Sequence, residues 1–218
     1  MSSTLTENRK RDGTRVERAY RRIKALILSA KLPPGAPINE VQIAGELKIS
    51  RTPLREAIRQ LEHDGLVVRY PNKGVFVRQL AMKEFFEIWQ IREWLEPLAC
   101  EIAVRNINKS ILEELQEELS RLDEKSPGIE EYEIHHRIDV QLHSLILETA
   151  GNRTLKEIID GLNDRIMHIR MVHTPERLHA SIKEHMEIIS GLLMGDSMMA
   201  SNAIRSHLEN ARENISLL

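Results

Sequence analysis

The chain has 218 residues, 41% of them hydrophobic, and a formal charge of −2, enough for two modest cores or for one core beside a small module. Its one cysteine, Cys100, excludes an intrachain disulfide and fits a reducing cytoplasm. No apolar run is long enough to span a bilayer, and the N-terminus lacks a signal peptide's apolar segment, so a cytoplasmic protein without a membrane partner is expected.

The near-neutral total hides a division. Residues 1–78 hold 16 Lys and Arg against 8 Asp and Glu, a balance of +8. The whole chain holds 31 against 33, which leaves −10 for residues 79–218. A basic head on an acidic body suits a nucleic-acid-binding module fused to something that must avoid phosphate.

In chain order, residues 1–14 read as a disordered basic arm, with Arg9, Lys10 and Arg11 among polar residues. From Val16 to Ala30, apolar Ala19, Ile23, Ile27 and Leu28 recur at helical spacing, and Leu32-Pro33-Pro34-Gly35 ends the pattern. Asn39 is placed to cap a short helix, Glu40 to Leu47, with Val41, Ile43, Ala44 and Leu47 apolar. Lys48-Ile49 turns the chain into Ser50, a natural N-cap, and Pro53 falls in a first turn that needs no N–H from it.

The helix that follows is two-sided. Leu54, Ile58 and Leu61 form an apolar stripe, while Arg51, Arg55 and Arg59 share another face. Guanidinium forks suit phosphate oxygens and guanine edges, so this helix has the make-up of a major-groove reader; a solvated surface helix is the plain alternative. Asp64-Gly65 stops it. Leu66 to Tyr70 and Val75 to Arg78 then read as two strands around Pro71-Asn72-Lys73-Gly74. Three helices and a hairpin over residues 15–78 predict a winged helix-turn-helix.

These residues carry a resemblance. Leu32-Pro33-Pro34-Gly35, Glu40, Ala44, Leu47, Ser50 to Ala57, and Gly74-Val75-Phe76-Val77 resemble the DNA-binding domain of the GntR family of bacterial transcriptional regulators. The resemblance implies base contacts from Arg51 and Arg55 and a backbone contact from Thr52. It places Gly74, beside Lys73, at a wing tip entering the minor groove. Some family members carry a further base-reading arginine where this chain has Val41.

Residues 79–81 form a linker too short, and too poor in Gly and Pro, to be a loose tether. Beyond it, six helical segments are expected at about 82–105, 110–124, 129–149, 152–173, 181–194 and 196–216. Ser126-Pro127-Gly128, Gly151-Asn152, a capping box at Ser181 to Glu184, and Gly195-Asp196 punctuate them. The fold class is therefore mainly α: a winged head and an all-α six-helix body over residues 82–218.

Histidine placement makes this body unusual. Asp139 and His143 are four apart among Ile138, Leu142 and Ile146; His185 lies between Ile182 and Ile189, and His207 between Ile204 and Ala211. Three helices thus aim ionisable groups inward, where an unpaired polar group costs several kcal/mol, roughly. Three imidazoles and a carboxylate suit a divalent ion, zinc foremost, with nickel or manganese as alternatives. Each histidine taken singly is also compatible with a hydrogen-bonded core residue, and His135, His136, His168, His173 and His179 remain as competing ligands or surface residues.

A second resemblance covers this region. Ile91 to Glu96, Asp139 to His143, Gly151-Asn152, Glu184-His185 and Arg205 to Leu208 resemble the FCD effector domain of the FadR-type branch, in its shorter, VanR-like form. The resemblance implies that Asp139, His143, His185 and His207 hold a metal and that Arg92 pairs with a small organic acid bound there. The alternative for Arg92 is a salt bridge to Glu96, four residues on. Trp89, Trp94 and Met82 read as core or subunit interface.

The function expected is a homodimeric transcriptional regulator, a repressor in the family's usual sense, that reads an inverted-repeat operator and responds to a carboxylate at a metal. One rival is a metal-dependent enzyme with a regulatory DNA-binding head. It lacks a general base, because Asp139 is a ligand and Glu184 is expected to point away from its neighbour His185. The other is a DNA-binding regulator with a purely structural metal.

Overall fold

The computed structural model describes residues 2–29, 31–123, 128–166 and 175–216. Among the described residues the order is α1 (Ser2–Leu28), α2 (Glu40–Leu47), α3 (Arg51–His63), β1 (Val67–Tyr70), β2 (Gly74–Val77), α4 (Met82–Ala103), α5 (Lys109–Asp123), α6 (Ile129–Thr149), α7 (Arg153–Ile166), α8 (Pro175–Met194) and α9 (Ser197–Ser216). Two compact units result. The first runs to Met82 and takes in the end of α7 from Gly161; the second begins at Lys83 and holds the remaining helices.

In the first unit, Ala19, Ile23 and Ile27 of α1 are fully buried with Leu54, Ala57, Ile58 and Leu61 of α3. Burying each large aliphatic side chain stabilises by about 1.5–3 kcal/mol, which is why the spacing of four fixes the helix pairing. α1 starts well before Val16. Its backbone is helical from Ser2, where a disordered arm is expected.

Asn39 caps α2, its Oδ1 accepting from Gln42 N at 3.0 Å. α2 closes at Lys48, whose φ of 52° is left-handed, and Ile49 N donates to Ala44 O at 3.1 Å. That reversal is the turn of the helix-turn-helix. Val41 is 71% exposed rather than packed, because at about 100° per residue it lies opposite the buried Ile43. Ser50 is extended at the N-cap position of α3, but its side chain makes no capping bond.

β1 and β2 pair antiparallel, Val67 with Val77 and Tyr70 with Gly74, and bury Val67, Val75 and Val77. Asn72 (φ 61°) and Gly74 (φ 102°) supply the left-handed backbone the tight turn needs. The segment after the Pro-Pro-Gly run lies along β2, with Gly35 N to Val77 O at 3.0 Å and Ile38 N to Val75 O at 2.8 Å.

In the second unit, Leu112, Leu115 and Leu119 of α5, Ile138, Leu142 and Ile146 of α6, Ile182 and Ile189 of α8, and Ile204 and Leu208 of α9 build the core. Pro97 sits inside α4 and withholds the N–H that Glu93 O would receive; Arg205 Nη1 donates to that carbonyl instead, at 3.1 Å. Gly191 is where α8 and α9 cross. A Cβ there would stand 2.7 Å from Ala200 N and 2.9 Å from its Cα.

Two helix starts in the second unit follow the sequence closely and one does not. Asn152 Oδ1 accepts from Leu155 N, and Asp196 Oδ1 from Met199 N, each beyond a left-handed glycine. α8 begins at Pro175, not Ser181, because proline suits a helix's first turn. Ser181 is then buried in mid-helix, and Glu184 is released from any capping box. The expected break at Ser126-Pro127 and the stretch 167–173 of the fourth body helix lie outside the described residues.

Candidate functional site

The basic head presents one exposed face. Pro53, Leu54, Ala57, Ile58 and Leu61 hold α3 to the core, leaving Arg51, Thr52, Arg55 and Arg59 outward. The Arg55 side chain is 66% exposed, and its Nε lies 4.0 Å from Glu40 Oε2, an orienting contact that leaves the fork available. Arg59 is drawn to Glu56 at 3.4 Å. Lys73 and Gly74 are exposed at the hairpin tip. The five residues expected to meet DNA are thus all on the surface of the first unit.

In the second unit, Asp139, His143, His185 and His207 converge, offering ligand atoms within 4.8 Å of one another. α6 brings Asp139 and His143 one turn apart, while α8 and α9 bring His185 and His207 to ring centroids 4.5 Å apart. All three imidazoles turn Nε2 toward one atom, Asp139 Oδ1, at 3.6 Å from His143, 3.1 Å from His185 and 3.8 Å from His207. His185 is fully buried, and among the described residues neither of its ring nitrogens has a hydrogen-bond partner.

A cluster so arranged is electrostatically unbalanced. Burial raises the Asp139 carboxyl, but the close imidazoles of His185, His143 and His207 hold it well below the usual range. Burial, then the neighbouring His185, pushes His207 down to about 4, so its ring is neutral near pH 7. His143 is raised: burial lowers it, but Glu96 and Asp139 outweigh burial. An anionic oxygen with three imidazole Nε2 atoms around it is a donor set that fits a divalent cation, which displaces any proton they carry.

Two carboxylates complete the cluster, and their contacts with the ligand histidines were not read from the sequence. Glu96 Oε2 accepts from His143 Nδ1 at 2.5 Å, and Glu184 Oε2 from His207 Nδ1 at 2.8 Å. Glu184 makes none of these contacts with its neighbour His185. It faces α9, where His207 and Asn210 Nδ2 donate to it, and Arg177 grips it with two nitrogens at 2.7 and 2.9 Å. Both carboxyls are held down to about 2; burial opposes this, and Arg92 with His143, or His207 with Arg177, prevails. The available signal was a carboxylate beside each apolar stripe with an arginine at helical distance.

Arg92 is buried, its Nε donating to Glu96 Oε1 at 2.6 Å and its guanidinium lying 4.5 Å from the Trp89 ring. The salt bridge to Glu96 is present, yet it occupies Nε alone; among the described residues no acceptor takes the Nη groups. Trp89 is core, its Nε1 donating to Leu208 O at 2.6 Å. Trp94 is 71% exposed and Met82 47%. His135 is buried beside His185, ring centroids 5.1 Å apart, and His136 is exposed.

A winged helix-turn-helix with an outward arginine face, joined to an all-α body, defines a DNA-binding regulator. Residues 15–77 match the gntR family of bacterial regulatory proteins, and residues 87–210 match the FCD domain. The chain is 30% identical over 199 residues to the uncharacterized HTH-type transcriptional regulator YdhC of Bacillus subtilis, covering 90% of this chain and 88% of that one. It is 25% identical to the HTH-type transcriptional repressor RspR of Escherichia coli over 206 residues, 91% of this chain and 88% of the repressor. The solved structure of E. coli McbR/YncC shares the fold with a TM-score of 0.74 at 23% identity, over 93% of this chain and 96% of that one. The metal-free FCD domain of TM0439 aligns with a TM-score of 0.54 at 24% identity, over 64% of this chain and 99% of that domain. The chain belongs to the GntR family, with an FCD domain as its body, and it is a DNA-binding transcriptional regulator rather than an enzyme.

Proposed function

We propose that this regulator is a cytoplasmic homodimer that represses from an inverted-repeat operator and is released when a small organic acid binds at a divalent metal, zinc by donor set, in its FCD domain. The observation that carries the reading is the convergence of Asp139, His143, His185 and His207 with ligand atoms inside 4.8 Å. Three imidazole nitrogens and one oxygen fit zinc, nickel or manganese and leave coordination positions for an anion. When bound, the ion supplies an electrophilic anchor for carboxylate oxygens; Arg92 supplies the planar fork beside it through its untaken Nη groups.

On the head, Arg51 and Arg55 read bases, Thr52 and Lys73 position the backbone, and Gly74 lets the wing tip approach the minor groove. Val41 stands exposed where some relatives have an arginine, so base reading here rests on α3. One recognition helix reads few base pairs, and a two-fold axis doubles them. Support for a second copy comes from α4, where Ile91, Trp94, Leu98 and Ile102 form an exposed apolar stripe at helical spacing.

The test is operator affinity of full-length protein, on DNA selected from a random library, zinc-loaded and chelator-treated, with and without a panel of small carboxylates. Coupling of about 1–3 kcal/mol predicts a 5- to 150-fold weakening by the effective acid in zinc-loaded protein alone. Affinity that no acid alters, together with an unmoved thermal midpoint, would leave the metal a structural role only.

A further inference from the structure

We infer that Glu96 and Glu184 are positioning residues of the cation site, each fixing one ligand imidazole in the tautomer that turns a bare Nε2 to the ion. This rests on the cation-site reading above. A carboxylate paired with an arginine only accepts, as Glu96 is with Arg92 and Glu184 with Arg177, so the ring nitrogen that meets it carries the hydrogen. His143 and His207 therefore donate from Nδ1, which leaves Nε2, the atom facing Asp139 in both, as the nitrogen that binds an ion once it carries no proton.

Each carboxylate is in turn held from behind. Arg92 Nε meets Glu96 at 2.6 Å, and Arg177 forks Glu184. The Glu96 side chain is 2% exposed and that of Glu184 13%, and buried carboxylates persist only with such partners. Because each outer pair is neutral, the ion sees one uncompensated anion, Asp139, and retains positive charge for an incoming acid. Arg92 thereby touches both sides of the chemistry: its Nε steadies the Glu96–His143 pair while its Nη groups face the acid. Among the described residues no such carboxylate meets His185 Nδ1, which makes the outer ring asymmetric.

The experiment measures zinc affinity by chelator competition for wild type, Glu96→Gln, Glu184→Gln and the surface control Glu157→Gln. Ring-nitrogen NMR of the metal-free proteins is recorded alongside. Glutamine keeps the shape and an acceptor but loses the charge and can also donate, so the tautomer is no longer enforced. The expected result is a 10- to 100-fold loss of affinity for each site variant, none for the control, and loss of the Nδ1–H form at the affected histidine. If Glu96→Gln does not fold, the more exposed Glu184→Gln decides. Wild type that takes up no zinc overturns the cation-site reading itself. Wild-type uptake with variant affinities within about threefold, or with unchanged tautomers, overturns only the assignment of Glu96 and Glu184.

Discussion

Gly191→Ala places a methyl group between two helices that carry half of the cation site. The new Cβ would stand 2.7 Å from Ala200 N, and that atom belongs to backbone, so no side chain can swing aside. Restoring ordinary contact at about 3.4 Å requires α8 and α9 to part by about 0.7 Å. Overpacking of this kind costs about 1–3 kcal/mol. For a chain of this size that lowers the melting temperature by about 2–12 °C. The same displacement acts on His185 and His207, whose rings are 4.5 Å apart across these helices, and metal geometry tolerates only about 0.2 Å. Thermal melting of metal-free protein reads the first effect, and zinc affinity reads the second. Gly161→Ala is the control, since a Cβ there meets nothing within 4 Å and a mid-helix alanine should stabilise by about 0.5–1 kcal/mol. A Gly191→Ala protein that melts and binds zinc like wild type would refute the packing argument.

Arg51→Ala and Arg55→Ala should each cost about 1–3 kcal/mol on the selected operator and much less on random DNA; equal losses on both would make the arginine a phosphate contact. His185→Ala should abolish stoichiometric metal while leaving non-specific DNA binding intact, and normal metal content would remove it from the ligand set. Tyr20→Phe removes the 2.7 Å bond to Asp64 and should cost about 0.5–1.5 kcal/mol. Burial, then Asp64, raises the Tyr20 phenol above its ordinary value of 10, so wild-type stability is intact below pH 10 and falls as pH rises beyond it. The variant lacks this phenol and should lose less over that window, as melting curves in alkaline buffer will show.

The head was legible because its signals are local. Ala19, Ile23 and Ile27 repeat every four residues, Asn39 is a true cap, and the hairpin turn falls on Asn72 and Gly74. In the short α2, apolar character alone did not say which side chains pack: Ile43 is buried and Val41 exposed. In the body, ligand residues stood out because charge on an apolar stripe is anomalous on a single helix. Glu96 and Glu184 did not, since their partners lie 47 and 23 positions away and are met only when helices pack. The expected start of α8 at Ser181 had the same root: Ser181 to Glu184 has a capping pattern, but burial claims Ser181 and bonds from α9 claim Glu184.

The most direct measurement is anomalous diffraction from crystals of zinc-reloaded full-length protein. One peak is predicted, about 2.0–2.2 Å from Asp139 oxygen and from Nε2 of His143, His185 and His207. Diffraction that shows no peak among these four side chains, or places the ion elsewhere, would contradict a sensor built around them.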